Sequence, residues 1–325
     1  MNVAARAVFT AVLSLFAASW APLGWAQTAA NYPSRPIRII VPVAAGGPTD
    51  AFGRLYGAYL EKKYKQSAIV ENRPGAGQIV GADVVAKAAP DGYTLLAAAN
   101  TVSYESLLNK DAGFDTTKDI LPFGIIAQAG LFIALNNAVP AKTMPELFAW
   151  VKANPGKLNV ATAGAPVAEL EGLRNKLGLS WVNVNYKGGA ASQQALLAGE
   201  VGMYTPDGNQ AISGVKDGRI HLLAYTDVIR HFGAPDVPTM AESGVAPDFQ
   251  YVVWLGMFAP ANVPADIINK LNADVNEMAS GPEATARTAA MGWRTNPVSV
   301  PVIRKMTQTS NETIAGLLAA GVKLR

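Results

Sequence analysis

The sequence predicts an α/β protein built on mostly parallel sheets, and three observations carry that prediction. From Pro36 onward, short apolar runs alternate with amphipathic stretches, the pattern of successive β-α-β units. The first run, Ile37, Ile39, Ile40, Val41 and Val43, shows little alternation, as strands covered on both faces do. Beyond an N-terminal apolar segment, roughly 300 residues remain, long for one core and comfortable for two. Half of the residues are apolar, enough to build them.

A turn, Ala45-Gly46-Gly47-Pro48-Thr49-Asp50, separates this strand from the first predicted helix. There Phe52, Leu55, Tyr56, Tyr59 and Leu60 form one apolar stripe, Glu61, Lys62 and Lys63 close the helix, and Thr49 or Asp50 can cap it. Further helices are expected over Ile79 to Lys87, Pro145 to Ala153, Ala190 to Ala198, Asn209 to Lys216, Ala265 to Met278 and Val302 to Ala320. Strands are expected over Tyr93 to Ala98, Leu158 to Thr162, Trp181 to Tyr186, Val201 to Thr205 and Ile220 to Thr226. Pro264 and Pro301 stand where helix starts accept proline. No repeat of fixed period, low-complexity block or long linker interrupts this rhythm.

The N-terminus reads as an export signal. Arg6 gives a basic start, Ala7 to Ala18 is apolar and uncharged, and Gly24-Trp25-Ala26 supplies small residues for cleavage near Ala26. The apolar core is shorter than the roughly 20 residues of a membrane span. The chain has no cysteine, which excludes disulfides, thiolate metal sites and a cysteine nucleophile. Net charge is +3, or +2 once Arg6 is removed (26 basic against 24 acidic residues), and no basic run or aromatic-basic stripe points to nucleic acid. His221 and His231 lack metal-ligand spacing, and there is no G-x-S-x-G elbow or P-loop, so neither catalysis nor a cofactor is expected.

The Gly46-Gly47 turn has two readings. It either only turns the chain, or it opens the first backbone N–H groups of the following helix to an anion. A dinucleotide fingerprint fits worse, because no third glycine has the required spacing.

Glu71-Asn72-Arg73-Pro74-Gly75-Ala76-Gly77 and Ala86-Lys87-Ala88-Ala89-Pro90-Asp91-Gly92-Tyr93-Thr94 follow in order, with Tyr186-Lys187-Gly188-Gly189, Pro235-Asp236-Val237-Pro238-Thr239-Met240 and Trp254-Leu255-Gly256 later. Together they resemble the Bug-type substrate-binding receptors of tripartite tricarboxylate transporters across essentially the whole mature chain. The resemblance implies a type II periplasmic-binding-protein fold, with two α/β domains around a ligand cleft: residues 32–127 plus 251–325 as one, 128–250 as the other. It implies a monomer in the periplasm, binding a small organic acid and presenting it to the membrane subunits of such a transporter or to a sensor kinase. An enzyme on the same fold is the rival class, which would turn its ligand over.

The same resemblance places Ala45, Gly46, Gly47, Thr49 and Asp50 in the ligand loop of one domain, with Thr101 or Ser103 as a hydroxyl donor after the Tyr93 strand. The histidine often found next in the family is Val102 here. Domain two would answer with Ala163, Gly164 and Ala165, followed by Pro166-Val167-Ala168, where the family usually carries serines, threonines and a histidine. That departure predicts a pocket half suited to an aliphatic or aromatic body. Lys187 and Gly188 stand before the next helix, where the lysine attracts an anion or is a solvated cap. Asp207 either faces ligand or caps a helix. Trp254 and Gly256 either flank the cleft or belong to the core.

Overall fold

In the structure, a computed structural model that describes residues 29–162, 166–186, 188–322 and 324, two five-stranded sheets carry the fold. The chain divides into two compact units, Met1–Tyr32 and Pro33–Arg325. The first contributes a 3-10 turn at Ala29–Asn31, and the expected export signal lies outside the described residues. Everything that follows belongs to the second.

The first sheet has the order β2-β1-β3-β10-β4, with β1 Ile37–Val41, β2 Ala68–Asn72, β3 Thr94–Ala99, β4 Ile120–Gly130 and β10 Val252–Pro260. β1 pairs in parallel with β2 and β3, whereas β10 runs antiparallel to both β3 and β4. Its helices are α1 Pro48–Tyr64, α2 Ile79–Ala86, the single turn α3 Glu105–Leu108, α8 Ala265–Ala279, α9 Pro282–Ala290 and α10 Val300–Ala319. The second sheet has the order β7-β6-β8-β5-β9, from β5 Phe132–Asn136, β6 Asn159–Thr162, β7 Val182–Asn185, β8 Met203–Tyr204 and β9 Ile220–Tyr225. With it go α4 Met144–Ala153, α5 Pro166–Leu177, α6 Gly189–Ala198 and α7 Gly208–Val215.

Each sheet has its own core. Ile40, Leu96, Ile125, Trp254 and Phe258 fill one, and Ile133, Leu135, Leu147, Val160, Trp181 and Met203 fill the other. α1 is fixed against α8 by Asp274, a buried carboxylate that accepts from the Tyr64 hydroxyl at 2.8 Å and lies 2.9 Å from Lys63 Nζ. α10 spans the two groups of helices, since its Ile314 and Leu317 pack with Ala168 of α5.

The chain passes between the sheets twice, and both crossings meet at one residue. The first crossing is the single residue Leu131 between β4 and β5, and the second is the segment 226–251 between β9 and β10. Thr226 Oγ1 accepts from Leu131 N–H at 2.7 Å and donates to Tyr251 O at 2.7 Å, while backbone bonds repeat both links at 2.9 and 3.0 Å. Beside it Gly130 N–H donates to the Tyr225 hydroxyl at 2.8 Å. Gly130 has to be glycine, because a Cβ would stand 2.7 Å from Asp227 N and 2.9 Å from the Tyr225 ring.

Asp227 is buried and receives the Arg294 guanidinium on both oxygens, at 3.0 and 3.1 Å. Arg294 and Gln128 exchange backbone hydrogen bonds at 2.8 and 2.9 Å, so the ion pair ties the second crossing to β4. Nearby His231 is buried against Phe132 and Tyr225, accepts from Gly233 N–H at Nδ1 and faces Gly292 O at Nε2, which places its proton on Nε2. Removing the carboxylate strands a guanidinium in a largely dry site. Asp227→Ala is therefore expected to cost about 3 kcal/mol, the low end for a broken buried pair because Arg294 keeps some water. Urea unfolding checks this, and a loss under about 1 kcal/mol would show the pair to be dispensable.

Candidate ligand-binding site

β1, β2 and β3 run parallel, so the segments after them, 42–47, 73–78 and 100–104, all open at one edge of the first sheet, where α/β folds place ligands. The first of these leads into α1. Gly47 is the N-cap residue and has no side chain to cap with, Pro48 at N1 has no N–H, and Ala51 N–H begins the intrahelical ladder by donating to Gly47 O at 3.0 Å. The amides of Gly47, Thr49 and Asp50 are thus the donors that helix geometry leaves at this end. Ala45 and Gly46 are exposed, and Gly46 takes φ +96°, a left-handed conformation that a β-branched residue adopts only under strain.

Asp50 departs from the expected capping role. It sits at the third helical position and its carboxylate reaches back to accept the Gly46 N–H at 3.0 Å, removing that donor from the ligand. The same carboxylate accepts from Arg54 Nε at 3.1 Å and from Asn72 Nδ2 at 2.9 Å, and Asn72 also donates to Val43 O. The Arg54 guanidinium, then the Gly46 amide and Asn72, hold the Asp50 carboxyl down from an ordinary 3.8 to about 2 against the opposing effect of burial. The loop is thereby tied to α1 and β2, and its charge is balanced within itself.

The two neighbouring segments differ in what they offer. Thr101 is half-buried, and its Oγ1 accepts from Gln78 Nε2 at 2.7 Å. Ser103 is buried in the 3-10 turn Asn100–Tyr104, and its hydroxyl lies 2.7 Å from Asn100 O and 3.1 Å from Asn311 Oδ1. Its hydroxyl is engaged inside the fold, so of the two alternatives Thr101 is the one at the surface of the edge. The reading along the chain did not anticipate Gln78. Residues 75–78 all have positive φ, including non-glycine Ala76 (44°) and Gln78 (82°), a run of strained backbone beside Thr101. Pro74-Gly75-Ala76-Gly77 is the sequence signal for it.

In the second sheet β6, β7 and β8 are parallel, so their following segments also open at one edge. Ala163, Gly164, Ala165 and Lys187 lie outside the described residues. Gly188, exposed and with φ 98°, is the N-cap of α6. Asp207 is the N-cap of α7, its carboxylate accepting Gln210 N–H at 2.9 Å. The start of α6 closes on Tyr204, since a Cβ on Gly189 would stand 2.9 Å from the Tyr204 hydroxyl and 3.0 Å from Gln210. Burial first, and then the Asp207 carboxylate, push the Tyr204 phenol up to about 12, so it remains an O–H donor, 3.3 Å from Gln210 Oε1. Tyr204 and Gln210 are additions to the candidate set; an isolated tyrosine at a strand end gives no sequence signal for them. Trp254 belongs to the core, stacked on Phe258, and Gly256 sits at a β-bulge where a Cβ would meet Gly124 O.

Residues 53–307 match the tripartite tricarboxylate transporter family receptor. The chain belongs to that family. BugT of Bordetella pertussis is 31% identical over 306 residues, covering 92% of this chain and 91% of BugT. Among solved structures, MatC from Rhodopseudomonas palustris with bound malate is 28% identical with a TM-score of 0.65, covering 88% of this chain and 100% of MatC. A second R. palustris protein, solved with adipate, is 25% identical with a TM-score of 0.66, covering 89% and 96%. This receptor therefore has the two-domain α/β architecture of the periplasmic binding proteins it resembles.

The receptor's Asp50 gives a pH test. A depressed carboxyl contributes stability that is complete above its unfolded value, near pH 4, and disappears as pH falls through about 2. Asp50→Asn removes that contribution, so the stability gap between wild type and variant should close between about pH 4 and pH 2. Thermal unfolding across that range checks it, and a pH-independent gap would assign the loss to geometry alone.

Proposed function

We propose that this receptor is a periplasmic solute-binding protein that captures a small carboxylate and delivers it to the membrane subunits of a tripartite tricarboxylate transporter. The observation that carries the reading is the start of α1, where the Gly47, Thr49 and Asp50 amides stand beyond an exposed Gly-rich turn at the carboxyl end of β1. The starts of α6 and α7 offer the matching pole from the second sheet. Malate and adipate, bound by two structural relatives, each carry two carboxylates, and helix N-termini on both sides suit such acids.

On this reading the domains are 32–127 with 251–325, and 128–250, although β4 carries the first sheet past that boundary to Gly130. Closure turns on the crossings at Leu131 and Thr226 and is stabilised by a ligand that bridges both sets of donors. The Ala163-Gly164-Ala165 segment brings no side-chain donor and Pro166 brings no N–H, which favours an acid with an aliphatic or aromatic body over a compact one.

Calorimetric titration with adipate, malate and benzoate tests this. Adipate or benzoate should bind, malate more weakly, and mass balance should return each unchanged. Gly46→Val should weaken binding about tenfold while costing only about 1–2 kcal/mol of stability from backbone strain. Failure of all three acids to bind, or formation of a product, would overturn the proposal; tighter binding of malate would overturn the preference for an apolar body.

A further inference from the structure

A cavity lies away from the loops described above. It has a volume of about 430 Å³ and sits between α10 and the start of β4, the edge strand of the first sheet. None of the loop residues of the candidate site lines it. Through β10, Pro122 of β4 stands level with Leu96 of β3, several residues back from the edge where the ligand loops open. Its size falls in the range of small-molecule sites.

Facing α10, the wall of this cavity is mostly apolar, formed by Leu107 of α3 and by Leu121 and Pro122 of β4 with Thr117 beside them, and Ala315 lines it from α10. One cation lines it, Arg304, and that guanidinium is poorly provided for. Its Nε is buried without a hydrogen-bond partner among the described residues. Burial alone lowers its pKa, with no carboxylate acting to raise it. Elsewhere in this fold half-buried arginines are matched: Arg294 by Asp227, and Arg174 by Glu171. A guanidinium cannot lose its proton under ordinary conditions, so a half-buried one beside a largely apolar wall is well placed to be completed by an anion.

The opposite end of the pocket carries the reverse charge. Glu312, whose Oε1 accepts from Gln308 Nε2 at 2.7 Å, lies eight residues along α10 from Arg304, about 12 Å by helical rise. One end therefore attracts a carboxylate and the other disfavours a second one. We propose that this cavity is a second ligand site, separate from the inter-domain cleft, which binds an amphipathic monocarboxylate with its carboxylate on Arg304 and its apolar body against Leu107, Leu121 and Pro122.

The test uses 2-naphthoate as probe, with 2-naphthamide and naphthalene-2,6-dicarboxylate as matched bodies lacking the charge or bearing a second one. Backbone amide shifts are followed in the whole mature protein. With 2-naphthoate, the Thr117, Thr307 and Asn311 amides should shift saturably, and the amide and the diacid should shift them about tenfold less readily. Arg304→Gln should weaken that response by about tenfold or more, the fold-change for one lost charge-assisted hydrogen bond, and leave the responses of Gly46 and Gly188 as in wild type. Ala315→Phe, made at an exposed position, fills the pocket and should abolish the α10 response without depending on how Arg304→Gln folds. Silence of the α10 amides, an unchanged response in both variants, or equal binding of 2-naphthamide would overturn the proposal. Equal binding of the diacid would overturn the monocarboxylate class.

Discussion

The fold rests on the point where its two chain crossings are bonded to each other. Thr226 exchanges a pair of hydrogen bonds with Leu131 and another pair with Tyr251, and Gly130 and Asp227 are packed so closely beside it that no side chain fits at residue 130. Each sheet has its own core, so these few groups, with the α10 contact to α5, decide how the two halves meet. The Asp227–Arg294 pair lies in that knot and is buried on one side. Its contribution is better seen as specifying geometry than as adding stability, since a buried pair repays little more than its own desolvation.

From this frame the ligand edge follows. Parallel strands put every following loop at the same edge, and the Asp274 contacts with Lys63 and Tyr64 hold α1 in a set orientation against α8. The start of α1 is therefore presented by rigid elements rather than by a free loop. Asp50 does two things there: it fastens the Gly46 amide, and with Arg54 it leaves the loop locally neutral. What remains for the proposed ligand is a set of backbone donors aimed by the helix.

Much of this was legible in the chain. The strand and helix at Ile37–Tyr64, and the helices at Ile79, Met144, Gly189, Gly208 and Ala265, stand within a residue or two of where periodicity put them. β2, β4 and β5 were not marked. β4 is buried on both faces for most of its length, so no alternation exposes it, and β2 is a mixed edge strand with little pattern. Nor was the antiparallel course of β10 in the first sheet or of β5 in the second anticipated; each makes its sheet mixed and depends on contacts far apart in sequence. At the site, Gly46, Gly47 and Asp207 were legible because glycine and helix caps have local signatures. Gln78, Tyr204 and Gln210 were not, since each takes its role from a neighbour: Gln78 from Thr101 across the loops, Tyr204 and Gln210 from the close approach of α6 and α7. Ser103 shows the converse, a hydroxyl in the right segment facing the wrong way.

The internal neutrality of the Asp50–Arg54 loop also bears on how quickly and selectively ligand is captured. With the arginine spent on its own aspartate and net charge of only +3 over the chain, little long-range field reaches out to pull an anion in. Added salt screens interactions beyond about 8 Å at physiological strength, and here it would have little to screen. Selection among anions would then fall to short-range fit and residence time, and would change little with ionic strength.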